Sequence, residues 1–168
     1  MQICEALKYI HSNKVLHRDL KPHNIFLTSE NTIKVGDFGV SKALEASCRE
    51  ANTVVGTPNY TAPEFQGKPY TPKADVWALG CILYFLCTFK TAFKLEGIDF
   101  VGHGITNENY EPIPANLPYS NELRMLVKML LDNNPEKRPT VADILQMDFV
   151  INKMTELEER RALRERYP

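Results

Sequence analysis

Asp19, Lys21 and Asn24 stand within one short polar stretch, His17-Arg18-Asp19-Leu20-Lys21-Pro22-His23-Asn24. An Asp can accept a proton, a Lys can neutralise a phosphate oxygen, and an Asn amide oxygen is a hard donor suited to Mg²⁺. A lone loop Asp is more often a turn former. Here it has two chemically matched neighbours, and Asp37 follows a short distance on. Ile25-Phe26-Leu27 and Ile33-Lys34-Val35 read as strands around the polar turn Thr28 to Thr32. A hairpin brings its two ends together, so Asp37 is expected beside Asn24. Two oxygen donors at a hairpin base, next to a proton acceptor and a cation, suit phosphoryl transfer. That reaction asks a protein for positioning and charge neutralisation more than for covalent help.

The flanking elements must hold this loop in place. Residues 1–12 carry Ile3, Leu7 and Ile10 on one helical face, with no capping residue ahead of them. Val15-Leu16 reads as a brief extended pair. From Ser41 to Thr57 the chain is polar and aperiodic, a long loop of the kind that is usually functional. Asp75 to Thr88 is apolar on nearly every face through Val76, Trp77, Leu79, Ile82, Leu83, Phe85 and Leu86, so it is expected to be the buried hub. Residues 90–117 are loop-rich, with one modest helix candidate. Tyr119 to Leu131 and Thr140 to Met147 read as further helices, and Met154 to Tyr167 as a solvated one with i,i+4 pairs such as Glu156–Arg160. The expected fold is mainly α: a helical bundle around a buried central helix, with a short β-hairpin at the working edge.

Composition narrows the function classes. A formal net charge of -1 gives no basic excess for nucleic acid. No apolar run is long enough to span a bilayer as a helix, so no membrane partner is expected. Cys4, Cys48, Cys81 and Cys87 show no metal-ligand spacing and read as buried thiols of a reducing compartment. A purely structural metal protein is disfavoured, because Asn24 and Asp37 supply too few oxygens to hold Mg²⁺ without phosphate.

His17-Arg18-Asp19 through Asn24, then Asp37-Phe38-Gly39, then Ala62-Pro63-Glu64 resemble the catalytic loop, metal motif and activation-segment end of the protein kinases, in that family's order. Each match alone is weak, and all three in register are specific. Lys21 after the HRD motif, with Gly56-Thr57-Pro58, resembles the Ser/Thr type. The stretches HRDLKPHNIFLT, DVWALGC and NPEKRP are similar to the NIMA-related (NEK) kinases, although His23 stands where Gln is commoner. The resemblance runs to about Val150. It implies residues 1–150 as the C-terminal lobe of a kinase domain and residues 151–168 as a charged C-terminal helix.

That resemblance carries roles residue by residue. Asp19 would orient and deprotonate the substrate hydroxyl, and Lys21 would stabilise the γ-phosphate of ATP. Asn24 and Asp37 would hold Mg²⁺, and Phe26 would form the floor under adenine. Thr57 would hydrogen-bond Asp19 and Lys21. His17 and Phe38 would stack in an apolar spine anchored by Asp75, and Glu64 would pair with Arg138. Thr53 would take a regulatory phosphate beside Arg18. The implied partners are ATP and a protein with a Ser/Thr acceptor, in the cytoplasm and with a cytoskeletal association.

The family's Gly-rich loop, β-strand Lys and paired Glu are not found in this sequence, so the N-terminal β-rich lobe is expected to be absent. The isolated chain should then turn over weakly or not at all, with a partner binding the apolar surface left uncovered. The alternative is an inactive kinase-like binding or regulatory module. The complete set Asp19, Lys21, Asn24 and Asp37 favours the enzyme.

Overall fold

A computed structural model describes residues 1–37, 42–43, 58–65, 69–93 and 110–166. Phe38, Thr53, Thr57, Cys48, most of the long polar loop and residues 94–109 of the stretch expected to hold a modest helix lie outside these residues. The elements are α1 (Gln2–Ser12), β1 (Val15–Leu16), β2 (Ile25–Leu27), β3 (Ile33–Val35), β4 (Lys42–Ala43), α2 (Pro72–Thr88), α3 (Asn121–Leu130), α4 (Val141–Leu145) and α5 (Asp148–Arg166). Short 3₁₀ turns link several of them. The fold is mainly α with small sheets. Among the described residues no helix is long and apolar enough to cross a membrane.

α2 is the centre. Pro72 opens it at the first helical position, where a missing N–H costs nothing, and Thr71 precedes it in extended conformation. The helix therefore starts three residues before the expected Asp75. Val76, Trp77, Ala78, Leu79, Gly80, Cys81 and Ile82 are all buried. The expected burial is not complete toward the C-terminal end: Leu86 is exposed, and Leu83 and Phe85 are half-buried. Two apolar clusters flank α2. One joins Leu7 of α1, Leu20, Val76, Leu130 and Ile144. The other joins Leu16, Trp77, Tyr84, Val127 and Leu131, with the Phe93 ring stacked on Trp77 at 5.0 Å.

α1 buries Cys4 and Leu7 fully, and Ile3 and Ile10 in part. The Asn13 side chain closes its far end by donating to the Tyr9 carbonyl at 2.8 Å. α3 is shorter than expected, because Ser120 caps it by accepting from the Leu123 N–H. Thr140 and Asp143 form a reciprocal capping box on α4. α5 begins six residues before the expected Met154, since its first turn still buries Val150. Within it Glu156 pairs with Lys153 at 2.5 Å, one turn back, and also feels the charge of Arg160, one turn on.

β2 and β3 form the expected antiparallel hairpin, with Ile25 opposite Val35 and Leu27 opposite Ile33. β1 pairs with β4, Val15 opposite Ala43. That partner lay in the stretch read as loop, where a two-residue strand leaves no periodic signal.

Candidate active site

The loop between β1 and β2 is held from below by one buried carboxylate. Asp75, near the start of α2, is fully buried. Its Oδ2 accepts from the His17 backbone N–H at 3.0 Å, and its Oδ1 from the Arg18 N–H at 3.1 Å. Tyr70 Oη donates to Oδ1 at 3.0 Å, and His11 Nε2 lies 2.8 Å from Oδ2. Only a protonated ring nitrogen can donate to a carboxylate, so His11 carries its proton on Nε2. Burial, the Asp75 charge and this hydrogen bond all push the Tyr70 hydroxyl well above its ordinary pKa, which keeps it a donor. His11 and Tyr70 escaped the sequence reading. Nothing local marks either one, and what they share is a contact with Asp75.

The loop backbone is bent to suit. Arg18 has φ 72 and Asp37 has φ 59, both in the left-handed region that side chains disfavour. Such angles persist only where surroundings over-determine them. At Arg18 the surroundings are Asp75 and the Tyr70 ring, over which its guanidinium lies 5.6 Å from the centroid. Arg18 is 8% exposed, and its Nε has no hydrogen-bond partner among the described residues.

On the working side of the loop, Lys21 Nζ lies 2.6 Å from Asp19 Oδ2. Asn24 Nδ2 donates to the Asp19 carbonyl at 2.8 Å and to Asp19 Oδ2 at 3.3 Å. With its amide nitrogen committed to Asp19, Asn24 would have its oxygen left to offer a cation. The hairpin then closes the site: the Gly36 N–H donates to the Asn24 carbonyl at 2.9 Å. His17 Nε2 donates to the Gly36 carbonyl at 3.1 Å. Asp37 follows directly and is exposed. The fold thus brings Asp19, Lys21, Asn24 and Asp37 to one edge, where a buried amide oxygen and an exposed carboxylate form a donor set that fits a hard divalent cation also held by phosphate.

Phe26 is 54% exposed and its ring lies against Gly36, where an added Cβ would meet Phe26 Cε2 at 2.9 Å. Glu64 and Arg138 hold each other elsewhere in the core. They meet in a bidentate pair, Arg138 Nη1 to Glu64 Oε1 at 2.7 Å and Nη2 to Oε2 at 2.8 Å. The Arg138 guanidinium also sits 4.8 Å from the Trp77 ring centroid.

Comparison with known proteins matches residues 1–150 to the protein kinase domain. The chain belongs to the protein kinase domain family. This kinase chain is 43% identical over 155 residues to the mouse serine/threonine-protein kinase Nek1, covering 92% of itself and 13% of that protein. It is 46% identical over 154 residues to a probable serine/threonine-protein kinase nek3 of Dictyostelium discoideum, covering 89% of itself and 14% of the relative. A rice Nek6 is 41% identical over 150 residues, covering 89% of the chain and 27% of the relative. The kinase chain therefore spans less than a third of each of these relatives. The matched region ends at Val150, inside α5.

Proposed function

We propose that this chain is the catalytic lobe of a Ser/Thr protein kinase, moving the γ-phosphoryl group of ATP to a protein Ser or Thr hydroxyl. The observation that carries the reading is the convergence of Asp19, Lys21 and Asn24 through direct hydrogen bonds, with Asp37 delivered by the hairpin. Asp19 Oδ accepts the proton as the hydroxyl oxygen bonds to the γ-phosphorus, and the bond to the β–γ bridging oxygen breaks to release ADP. Lys21, which rests on Asp19, neutralises a γ-phosphate oxygen. Asn24 and Asp37 hold Mg²⁺, which when bound offsets charge developing on the phosphates. The exposed ring of Phe26 supports adenine.

Arg18 supports a regulatory reading of the same site. Its guanidinium is largely buried, and its Nε has no hydrogen-bond partner among the described residues, so a phosphate on Thr53 would offer that N–H a charged acceptor. On the family resemblance alone, Thr57 would brace Asp19 and Lys21, and Phe38 would stack on His17. A cytoplasmic site of action is proposed on the family resemblance alone.

The test is ATP binding and peptide phosphorylation by this chain, with Asp37→Ala as control. Weak ATP binding abolished by Asp37→Ala, with little turnover, is the expected result. Tight peptide binding with no Asp37-dependent nucleotide binding would instead support a non-catalytic module.

A further inference from the structure

The two proposed Mg²⁺ oxygens sit on either side of a hairpin of only two short strands. Such a ribbon is marginal on its own and must be braced from outside. At its base the outside braces are His17 on the Gly36 carbonyl and the packing of Ile25 and Val35 on the core, beside the hairpin's own Gly36 N–H to Asn24 carbonyl bond. At its turn end the brace is a single side chain of α1. Gln2 Oε1 accepts from the Ile33 N–H at 2.5 Å, and Gln2 Nε2 donates to the Asn31 carbonyl at 3.4 Å. One amide thus grips a turn residue, Asn31, and the first residue of β3, Ile33. Among the described residues, no other side chain outside the hairpin hydrogen-bonds to this end.

The lever is short. Ile33 to Gly36 spans about 10 Å of strand at about 3.3 Å per residue. A tilt at the turn end is therefore transmitted to the base, where Gly36 pairs with Asn24 and leads directly into Asp37. We propose that Gln2 is a positioning residue of the active site: by clamping β3 to α1 it sets the spacing of the Asn24 and Asp37 oxygens and so the affinity for the divalent cation. The inference rests on the kinase reading for the identity of the ligand, and on the hydrogen bonds alone for the coupling.

Two variants test it. Gln2→Met keeps the length and removes both hydrogen bonds, whereas Gln2→Glu keeps an acceptor for the Ile33 N–H and loses the donor to Asn31. Hydrogen exchange is read at the Gly36 amide, which Gln2 does not touch. Mn²⁺ binding in the presence of ATP is read by electron paramagnetic resonance. Gln2→Met is expected to speed Gly36 exchange and to weaken Mn²⁺ by about three- to tenfold, the factor a lost neutral hydrogen bond converts to. Gln2→Glu should restore most of both. Faster exchange at Ile33 with Gly36 unchanged would overturn the proposal, leaving Gln2 a local strut. If the unaltered chain binds no Mn²⁺ with ATP, the nucleotide reading of the site fails, and the Gly36 exchange still decides whether Gln2 governs the base.

Discussion

The Asp75 carboxylate accepts from the His17 backbone N–H at 3.0 Å, and that bond helps join the central helix to the loop bearing the chemistry. Asp75 takes three further donors, from Arg18, Tyr70 and His11. Replacing it by Asn puts an NH₂ group against some of them. A buried donor left unsatisfied costs about 1–3 kcal/mol, so Asp75→Asn should lower stability by about 2–4 kcal/mol. Urea unfolding measures the loss. Hydrogen exchange at the His17 and Arg18 amides should rise beyond what global destabilisation explains, and unchanged protection there would show that the loop is held by something else.

The Glu64–Arg138 pair predicts a different pattern. Arg138 is 1% exposed and also donates Nε to the Asp132 carbonyl at 2.7 Å. Glu64→Ala strands a buried guanidinium and should cost about 3–5 kcal/mol, as broken buried pairs do. Replacing both residues by apolar ones should cost less than the sum of the single changes. Additive losses in a double-mutant cycle of denaturation would mean that the two side chains do not depend on each other.

These two networks also mark how far the sequence could be read. The loop, the hairpin and Asp37 were legible because their spacing is local: a polar turn between two short apolar runs forces the ends together. Asp75 was reachable through the family resemblance. His11 and Tyr70 were not, since His11 lies 64 residues from Asp75 and looks like the polar end of an amphipathic helix. Gln2 escaped for the same reason, as its partners Asn31 and Ile33 belong to another element. β4 is two residues long, and strand pairing that short has no period to detect. The early start of α5 reflects tertiary burial of Val150, not a helix signal.

Gly80 predicts a conflict between local and tertiary preference. In mid-helix, Gly→Ala should gain up to about 1 kcal/mol of helix propensity. In the fold, a Cβ at Gly80 would lie 2.8 Å from Leu130 Cβ and 2.9 Å from Leu131 Cδ2. Leu130 Cβ is fixed to the α3 backbone and cannot swing aside. Overpacking of this kind costs about 1–3 kcal/mol, so Gly80→Ala should lower the thermal midpoint. A higher midpoint would mean that α2 and α3 can part without loss.

The buried thiols predict how stability depends on pH on the alkaline side. Burial pushes the Cys81 thiol far up, and it raises Cys4 and Cys87 as well. In the unfolded chain these thiols ionise near their ordinary pKa, while in the folded chain burial holds their protons to higher pH. The unfolded state therefore binds fewer protons above that pKa, and the stability the thiols contribute falls as pH rises. The window is about pH 8 to about 9.5, below the range where tyrosines titrate. Each protected thiol contributes a slope of up to about 1.4 kcal/mol per pH unit at the top of it. Urea midpoints should fall across this window, and Cys81→Ala, whatever its cost in packing, should flatten the fall by about one thiol's share. An equal slope in Cys81→Ala would mean that Cys81 ionises in the native state, and rapid alkylation of Cys81 in the folded protein would show the same thing directly.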